Sequence, residues 1–524
     1  MTLSRLANGT SCRFVSLKRP FSNYDFIDSE FRVGQDFISA RRIFSQARIH
    51  TCQTLVIENI EAAGAVQDEN EQLRKLDSKH RSLYLLRLTF WSQEITDESE
   101  FEEIDSKALK GYAILKADEL PGSGKRVSTV FESVFQKFPH RHNCVPGEAQ
   151  FSLQCCGFSF GISGVMYCQQ NNITKACAQV GLRSLLTMQN PDNDFVYSEI
   201  QGAATSAGPH TLPANGLTSA QMRSVMEYYT IPYDDLDYEA AKAGDREKFP
   251  YCKFLYSAIE SGAAGLLGFD LSGRAINPGE EKHIVPFFGH TFNQDTWVPR
   301  AENAYFHVGD DLRYIPSDKW LSSFIGHDDN FGSNFCVPRK YLEPTQVQYI
   351  LTIRPTGIGY NGTLAETLAS AALYSILPIA LRSECGSLSW MQRLAHYFMG
   401  MDIVFRAVAI ARDNYISHLS VLDDWDNFAE DRRIPSTLAG VLPEHLWMVE
   451  FSVPDLFSAN YRKLGELLFD GSVPANQLST MNPFVLARLP GTYFIPRDGN
   501  EFMLIPSTIQ NHTPLFRYNG LPLE

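Results

Sequence analysis

The feature that most constrains the fold of this chain is the irregular alternation of strand-like and helix-like segments along most of its length. Residues 82–91 and 111–117 are rich in the aliphatic and aromatic residues that suit half-buried strands. Residues 31–47 and 68–81 are instead rich in charge and have helical spacing. Segments of both kinds, without an internal repeat of solenoid length, are typical of packed mixed domains. The sequence therefore predicts an α+β fold.

The length of the chain predicts more than one domain. Its 524 residues are enough for two to four domains, each with its own core. The pattern of predicted elements changes near residues 140 and 345. We therefore predict an N-terminal α+β region at 1–140, a central domain at 141–345 and a C-terminal α+β domain at 346–524. The sequence assigns no role to the two flanking regions.

The C-terminal region contains predicted strands and helices in turn. The strands are expected at 348–353, 403–410, 447–452 and 484–488, and the helices at 364–381, 387–399 and 457–468. The most apolar stretch, 368–381, has about fourteen residues, whereas a transmembrane helix needs about 20. We interpret this stretch as a buried helix and expect no membrane span.

The balance of charge limits the classes of partner. The chain has 60 acidic and 46 basic residues, a formal net charge of -14. Phosphate backbones attract clustered Lys and Arg, so we expect no nucleic-acid partner. No apolar run of signal-peptide length occurs near the first residue. The 10 cysteines have no repeated spacing, which is typical of free thiols in the cytosol, and we predict a cytoplasmic protein.

Two further motifs give only weak evidence for a phosphate-binding loop or a metal site. Gly-Ser-Gly-Lys at 122–125 lacks the first glycine and the final Ser or Thr of a phosphate loop. The residues His140, His142 and Cys144, with an adjacent pair of cysteines further on, are metal-ligand types. Adjacent cysteines chelate a single ion poorly, so we interpret this cluster as a turn before a strand. We expect no cofactor and no metal.

Cys177 begins an apolar, helix-like run directly after the polar loop 169–172. A thiol in the first turn of a helix lies beside unpaired backbone N–H groups and the positive end of the dipole, which favour the thiolate. An imidazole from a distant strand can complete the activation. The strand-like segment His283-Ile-Val-Pro-Phe-Phe-Gly-His290 offers two imidazoles. Strict alternation would place His290 on the opposite face of the strand from His283.

Residues 165–340 resemble the papain-like cysteine peptidase superfamily, and within it the bacterial domains related to those that clip double-glycine leaders. The resemblance rests on an ordered series of features: a glutamine before a helix-initiating cysteine, a second helix after Thr218, and the pattern His-x-Val-x-x-x-Gly-His at 283–290. It implies a nucleophile-bearing helix packed on an antiparallel sheet. It also implies that Cys177 is the nucleophile and His283 the general base.

The resemblance implies two supporting residues as well. A glutamine amide before the nucleophile helps to hold the oxyanion, and Gln170 or Gln169 matches it. An acid or amide at the end of a later strand orients the imidazole. Asp328 is the first choice for this role and Asp329 the second. Asp295, which follows the histidine strand more closely, is the rival acid.

The implied activity is that of a cysteine peptidase or amidase, which cleaves a peptide or isopeptide bond through a thioester on Cys177. Acyl transfer to an amine uses the same residues, and a non-catalytic binding or scaffold protein can retain the same fold. The expected partner is a peptide or protein substrate, and the flanking regions can bind a partner protein. The choice of Asp328 also requires an insertion at 293–320.

Overall fold

The computed structural model describes residues 4–7, 9, 11–17, 38–137, 143–171, 177–205, 217–240, 248–270, 282–293, 295, 304–342, 344–420, 440–479, 482–497 and 501–518. Its helices are α1 Ile38–Ile49, α2 Gly64–Leu76, α3 Cys177–Gln189, α4 Tyr197–Thr205, α5 Ser219–Tyr228, α6 Tyr251–Glu260, α7 Gly362–Arg382, α8 Ser389–Met399, α9 Arg412–Ser420 and α10 Pro454–Asn460.

The strands outnumber the helices in the described residues. They are β1 Cys12–Ser16, β2 Thr54–Asn59, β3 Arg81–Trp91, β4 Leu109–Leu120, β5 Lys125–Phe135, β6 Asn143–Cys144, β7 Ala149–Cys155, β8 Phe158–Gly164, β9 Tyr167–Cys168, β10 Tyr233–Asp237, β11 Gly265–Asp270, β12 Lys282–Phe292, β13 Phe306–Val308, β14 Leu312–Pro316, β15 Leu321–Asp328, β16 Gly332–Pro338, β17 Val347–Ile353, β18 Val404–Ala411, β19 His445–Ser452, β20 Arg462–Lys463, β21 Gly465–Asp470, β22 Phe484–Leu489, β23 Thr492–Pro496, β24 Phe502–Pro506 and β25 Thr513–Pro514. This mixture confirms the predicted α+β class.

The N-terminal sheet is antiparallel, with the order β1-β2-β3-β4-β5-β9. Helix α1 covers one face through Ile43 and Phe44, which pack against Leu88 and Phe90. Helix α2 and the hairpin β7–β8 cover the other face. Because both faces are covered, β3 and β4 are apolar in nearly continuous runs, and the strands predicted at 82–91 and 111–117 are confirmed.

The middle sheet carries the candidate site and has the order β10-β17-β11-β12-β15-β16, with antiparallel neighbours throughout and β6 added along β12. Helices α3, α4 and α5 pack on one face around Leu182 and Leu266. Helix α6 packs on the other face around Leu255 and Val285. A helix that begins at Cys177 therefore lies on an antiparallel sheet.

The C-terminal sheet has the order β13-β14-β18-β19-β21-β22-β23-β24, in which only β14 and β18 run parallel among these described neighbours. Helix α7 is the one described helix that is long and apolar enough to cross a membrane, and half of its most apolar window is buried. Its buried face, including Ala369 and Leu373, packs in the core against Phe405 and Val449 of the sheet.

Sheet membership crosses the predicted region boundaries in three places. Strand β9 completes the N-terminal sheet, and β17 lies in the middle sheet. The predicted insertion at 293–320 contains the hairpin β13–β14, which extends the C-terminal sheet through β18. Helix α6 lies between the middle and C-terminal sheets, where the backbone N–H of Ala409 donates to Ser261 Oγ at 2.9 Å.

The helix predicted at 457–468 is wrong. Helix α10 ends before Tyr461, whose φ of 50° is left-handed, and Gly465–Asp470 forms a central strand between β19 and β22. Within that strand Glu466 is paired with Arg488, their closest atoms 2.6 Å apart. Burial between two strands therefore overrides the helical spacing of the apolar residues.

Candidate active site

The nucleophile candidate stands at the N-terminal end of α3, and its thiol is half-buried. Gly181, one turn further along on the same side of the helix, sets how closely α3 approaches the sheet. A Cβ atom at Gly181 would lie 2.9 Å from Leu266 Cδ2 of β11 and 3.8 Å from Pro286 Cδ of β12. The missing side chain allows the helix to lie directly on these strands, which brings its first turn close to the start of β12.

His283 lies at the start of β12, in register with Phe269 of β11. Only 11% of its side chain is exposed. Burial alone would lower the pKa of His283. The Asp328 carboxylate and the Cys177 thiol beside the ring, together with the nearby charge of Asp329, outweigh burial and raise the pKa of His283 well above its usual value. The thiol, the imidazole and an acid therefore lie in one connected group.

Two carboxylates face the same ring nitrogen. His283 Nε2 lies 3.4 Å from Asp328 Oδ2 and 3.3 Å from Asp329 Oδ1. Because Nε2 faces the carboxylates, we infer that Nδ1 is the nitrogen that faces the Cys177 thiol. Antiparallel pairing of β12 with β15 brings His283 close to the two aspartates, because it places the beginning of β12 beside the end of β15.

The two aspartates differ in their surroundings. Asp328 Oδ1 accepts the backbone N–H groups of Asn330 at 2.9 Å and Phe331 at 3.2 Å. Although burial opposes it, hydrogen bonding and the charge of His283 lower the pKa of Asp328. Burial raises the pKa of Asp329 to about 6, and neither of its oxygens has a hydrogen-bond donor among the described residues. Asp328 is the anchored anion, and Asp329 is the one that changes charge near neutral pH.

The two candidate glutamines have different neighbours. Gln169 belongs to the N-terminal sheet, because its Oε1 accepts the backbone N–H of Val130 at 2.8 Å. Gln170 faces the acid turn, where its Nε2 donates to Asn330 Oδ1 at 3.3 Å. Both glutamines line a small cleft with Gln179 of α3. Of the two amides, Gln170 is the one that contacts the turn carrying Asp328 and Asp329.

The turn that carries the acids is held by buried polar contacts. His327 Nε2 donates to Val165 O at 3.2 Å, while its Nδ1 accepts the backbone N–H of Asn334 at 3.1 Å. A neutral ring is required for both contacts, and burial accordingly lowers the pKa of His327 to about 3. From α1, Arg42 Nε donates to Ser333 O at 2.9 Å. The N-terminal region thus braces the acid turn.

The rival residues lie elsewhere. His290 is fully buried and contacts Glu260, on the face of the sheet that α6 covers. The pairing of β12 with β15 shifts register between Phe287 and Gly289, so the side chains of β12 do not alternate strictly between the two faces. Asp295 follows the far end of β12 and is exposed. Since β12 has 11 residues, its two ends are about 30 Å or more apart. Neither residue can reach the group around His283.

Some donor groups in the described residues have metal-binding geometry. Ligand atoms of His283, Asp328 and Asp329 lie within 4.8 Å of one another, as do those of Cys144, Glu260 and His290. In the first group, the neighbouring carboxylates raise the pKa of His283, and a cation bound beside the charged ring would be electrostatically unfavourable. His140 and His142, considered above as metal ligands, lie outside the described residues.

Sequence reasoning missed Asn330 and His327. Asn330 connects the Gln170 amide to the Asp328 carboxylate, and His327 fixes the turn from behind. The only sequence signal for either is the string His-Asp-Asp-Asn at the end of a strand, which is equally typical of an ordinary turn. Comparison with known proteins adds no family assignment: no family model, no curated protein and no solved structure matches this chain.

Proposed function

We propose that this protein is a thiol hydrolase that cleaves a peptide or isopeptide bond through an acyl-enzyme on Cys177. The observation that carries the proposal is the group of thiol, imidazole and carboxylate, in which His283 Nε2 lies 3.4 Å from Asp328 Oδ2 and the Cys177 thiol is among the groups that raise the pKa of His283. A buried structural cysteine needs no such partners. The likeness of residues 165–340 to papain-like peptidases agrees with this group and is part of the proposal.

In the proposed mechanism, His283 takes the proton of the Cys177 thiol. The resulting thiolate attacks the scissile carbonyl, and the imidazolium then donates the proton to the departing amine. Water, activated by the same imidazole, hydrolyses the thioester and restores the thiol. Asp328 acts as a positioning residue: it holds the ring through Nε2 and stabilises its positive charge, which leaves Nδ1 for the proton transfer.

The oxyanion is the second requirement of the mechanism. The backbone N–H of Cys177 at the beginning of α3 is one donor for it, and the helix dipole adds to its effect. The Gln170 amide is the proposed second donor. Its present contact with Asn330 Oδ1 holds one of its two N–H bonds and leaves the other for substrate. Loss of one such donor typically costs about 3 to 4 kcal/mol of transition-state stabilisation.

The test is labelling with a peptidyl epoxide, a thiol-directed probe that needs an activated cysteine. Wild type, Cys177→Ala, His283→Ala and the matched control Cys336→Ala, which removes an exposed thiol, are compared by mass spectrometry of tryptic peptides. We expect labelling at Cys177, lost in the first two variants and unchanged in the control. Equal labelling of all four proteins refutes the proposal, while loss in Cys177→Ala alone shows that another residue is the base.

A further inference from the structure

A second cleft opens on the other side of the middle sheet, away from Cys177. Its lining includes Cys144, Phe292, Tyr461, Arg517 and Tyr518. These residues come from β6, from the end of β12 and from the segments around β20 and β25. The cleft therefore lies between the middle sheet and the C-terminal region, and it has no part in the proposed hydrolase mechanism.

The thiol in this cleft has an imidazole and a carboxylate beside it. Cys144 pairs in register with His290 across β6 and β12. Its Sγ lies 3.8 Å from Glu260 Oε1, the same oxygen that contacts His290 Nε2. The charges of Cys144 and Glu260, together with the contact between His290 Nε2 and Glu260, outweigh burial and raise the pKa of His290 to about 9. The thiol, the imidazole and the carboxylate therefore form one group, whose sulfur, nitrogen and oxygen atoms lie within 4.8 Å of one another.

The cleft also contains a cation that has no partner of opposite charge among the described residues. Arg406 contacts both Glu260 and Glu450 and is neutralised by them. Arg517 lies over the ring of Tyr461, with 5.6 Å between guanidinium carbon and ring centroid, but makes no hydrogen bond or carboxylate contact within the described part of the chain. Burial lowers the pKa of Arg517. An anion in the cleft would supply the missing charge.

The segment that carries Arg517 is fixed in place. The backbone N–H of Leu515 donates to Tyr461 O at 3.0 Å, and that of Phe516 donates to Glu450 Oε1 at 2.7 Å. Phe516 O in turn accepts from Arg406 Nη1 at 3.0 Å. These bonds place the guanidinium at the cleft beside the thiol, so that one ligand can contact both groups.

We propose that this cleft binds low-molecular-weight disulfides that carry carboxylates, and that Cys144 exchanges with them. Arg517 binds a carboxylate of the ligand. Cys144 loses its proton to solvent and its sulfur attacks one ligand sulfur; a new S–S bond forms and the ligand's own S–S bond breaks. The other sulfur leaves as a thiolate and takes up a proton from solvent. Cys144 is oxidised to a mixed disulfide, and half of the ligand is reduced to a thiol.

A divalent cation is the alternative occupant of the Cys144, Glu260 and His290 group. The charges disfavour it, because Glu260 is already neutralised by Arg406 and by the imidazolium of His290. A disulfide ligand keeps that arrangement and uses the guanidinium of Arg517 as well. Exchange at Cys144 should accordingly proceed equally well with and without a metal chelator.

The test compares three probes that differ in charge: oxidised glutathione, hydroxyethyl disulfide and cystamine. They are applied to the full-length Cys177→Ser protein, so that failure of this proposal is separate from failure of the hydrolase assignment. Peptide mapping follows modification of Cys144, with the exposed thiol of Cys336 as an internal reference. We expect oxidised glutathione to react fastest at Cys144, and Arg517→Gln to slow that reaction about tenfold while leaving cystamine unaffected.

Several outcomes would overturn the proposal. They are an unmodified Cys144, equal rates for the three probes, an unchanged rate with oxidised glutathione in Arg517→Gln, or modification only after a chelator is added. Cys144→Ser must also abolish the added mass at this peptide. Arg517→Gln is compared with the Cys177→Ser parent by thermal unfolding, and Arg517→Lys, which keeps the charge, should retain most of the preference for the anionic probe.

Discussion

The contact between Asp328 and His283 can be tested through the reactivity of Cys177. In Asp328→Asn the imidazolium loses a carboxylate 3.4 Å from its Nε2. An opposite charge at such a distance shifts a pKa by about 1 to 3 units, and one unit corresponds to about 1.4 kcal/mol or a factor of ten. Asp329 remains at 3.3 Å, so the lower end of that range applies. We expect the imidazolium of His283 to be about tenfold less favoured, and alkylation of Cys177 near pH 7 to slow by a similar factor.

The assay is the rate of iodoacetamide incorporation at Cys177, followed by mass spectrometry because the chain has 10 cysteines. Asp329→Asn should behave differently, since the pKa of Asp329 is raised to about 6. The carboxyl group is mainly neutral at pH 5 and charged at pH 7.5, so its removal should matter little at the lower pH and slow alkylation at the higher one. The double variant should be slower than either single variant.

Asp295→Asn is the matched control, because it removes an exposed carboxylate at the far end of the same strand. Its alkylation rate at Cys177 should equal that of wild type. A wild-type rate in Asp328→Asn, or an equal loss in Asp295→Asn, would refute the assignment of Asp328. Thermal unfolding of each variant separates a local effect on His283 from general loss of structure.

Three further predictions concern the support of the site. Because the folded-state pKa of His327 is about 3, the free energy of unfolding should decrease as the pH falls below about 6.5. In urea unfolding, His327→Gln should reduce this dependence on pH by up to about 1.4 kcal/mol per pH unit. Arg183→Met leaves Glu132, now 2.7 Å from the guanidinium, buried and poorly paired, and should destabilise the protein by about 3 to 5 kcal/mol in the same assay. Gly181→Leu should force α3 from the sheet and slow Cys177 alkylation, whereas Gly202→Leu, with open space at its Cα, should not.

Much of the middle sheet and its helices could be predicted from local patterns. The described part of helix α3 runs from Cys177 to Gln189, and Thr218 caps α5 with a full capping box, as its sequence indicates. These features depend on neighbouring residues, so they are visible in the sequence. The strand Gly465–Asp470 was not, because its partners lie on distant strands that the spacing of its own residues does not reveal.

The candidate site was likewise only partly predictable from the sequence. The order of Cys177, His283 and Asp328 along the chain was sufficient to nominate them, yet nothing local distinguished Asp328 from Asp329 or Gln170 from Gln169. The two aspartates differ in the folded chain: both lie near His283 Nε2, but among the described residues only Asp328 accepts backbone N–H groups, those of Asn330 and Phe331.

The sequence by itself determined the α+β class, most of the helices and strands, and the residue types able to form a thiol site, because these follow from short-range spacing and side-chain chemistry. The tertiary structure decided which groups meet. It separated His290 from Cys177, joined His290 to Cys144 and Glu260, and left Arg517 without a carboxylate contact in the described residues. Such meetings depend on strand register and on burial between sheets, which are properties of the whole folded chain.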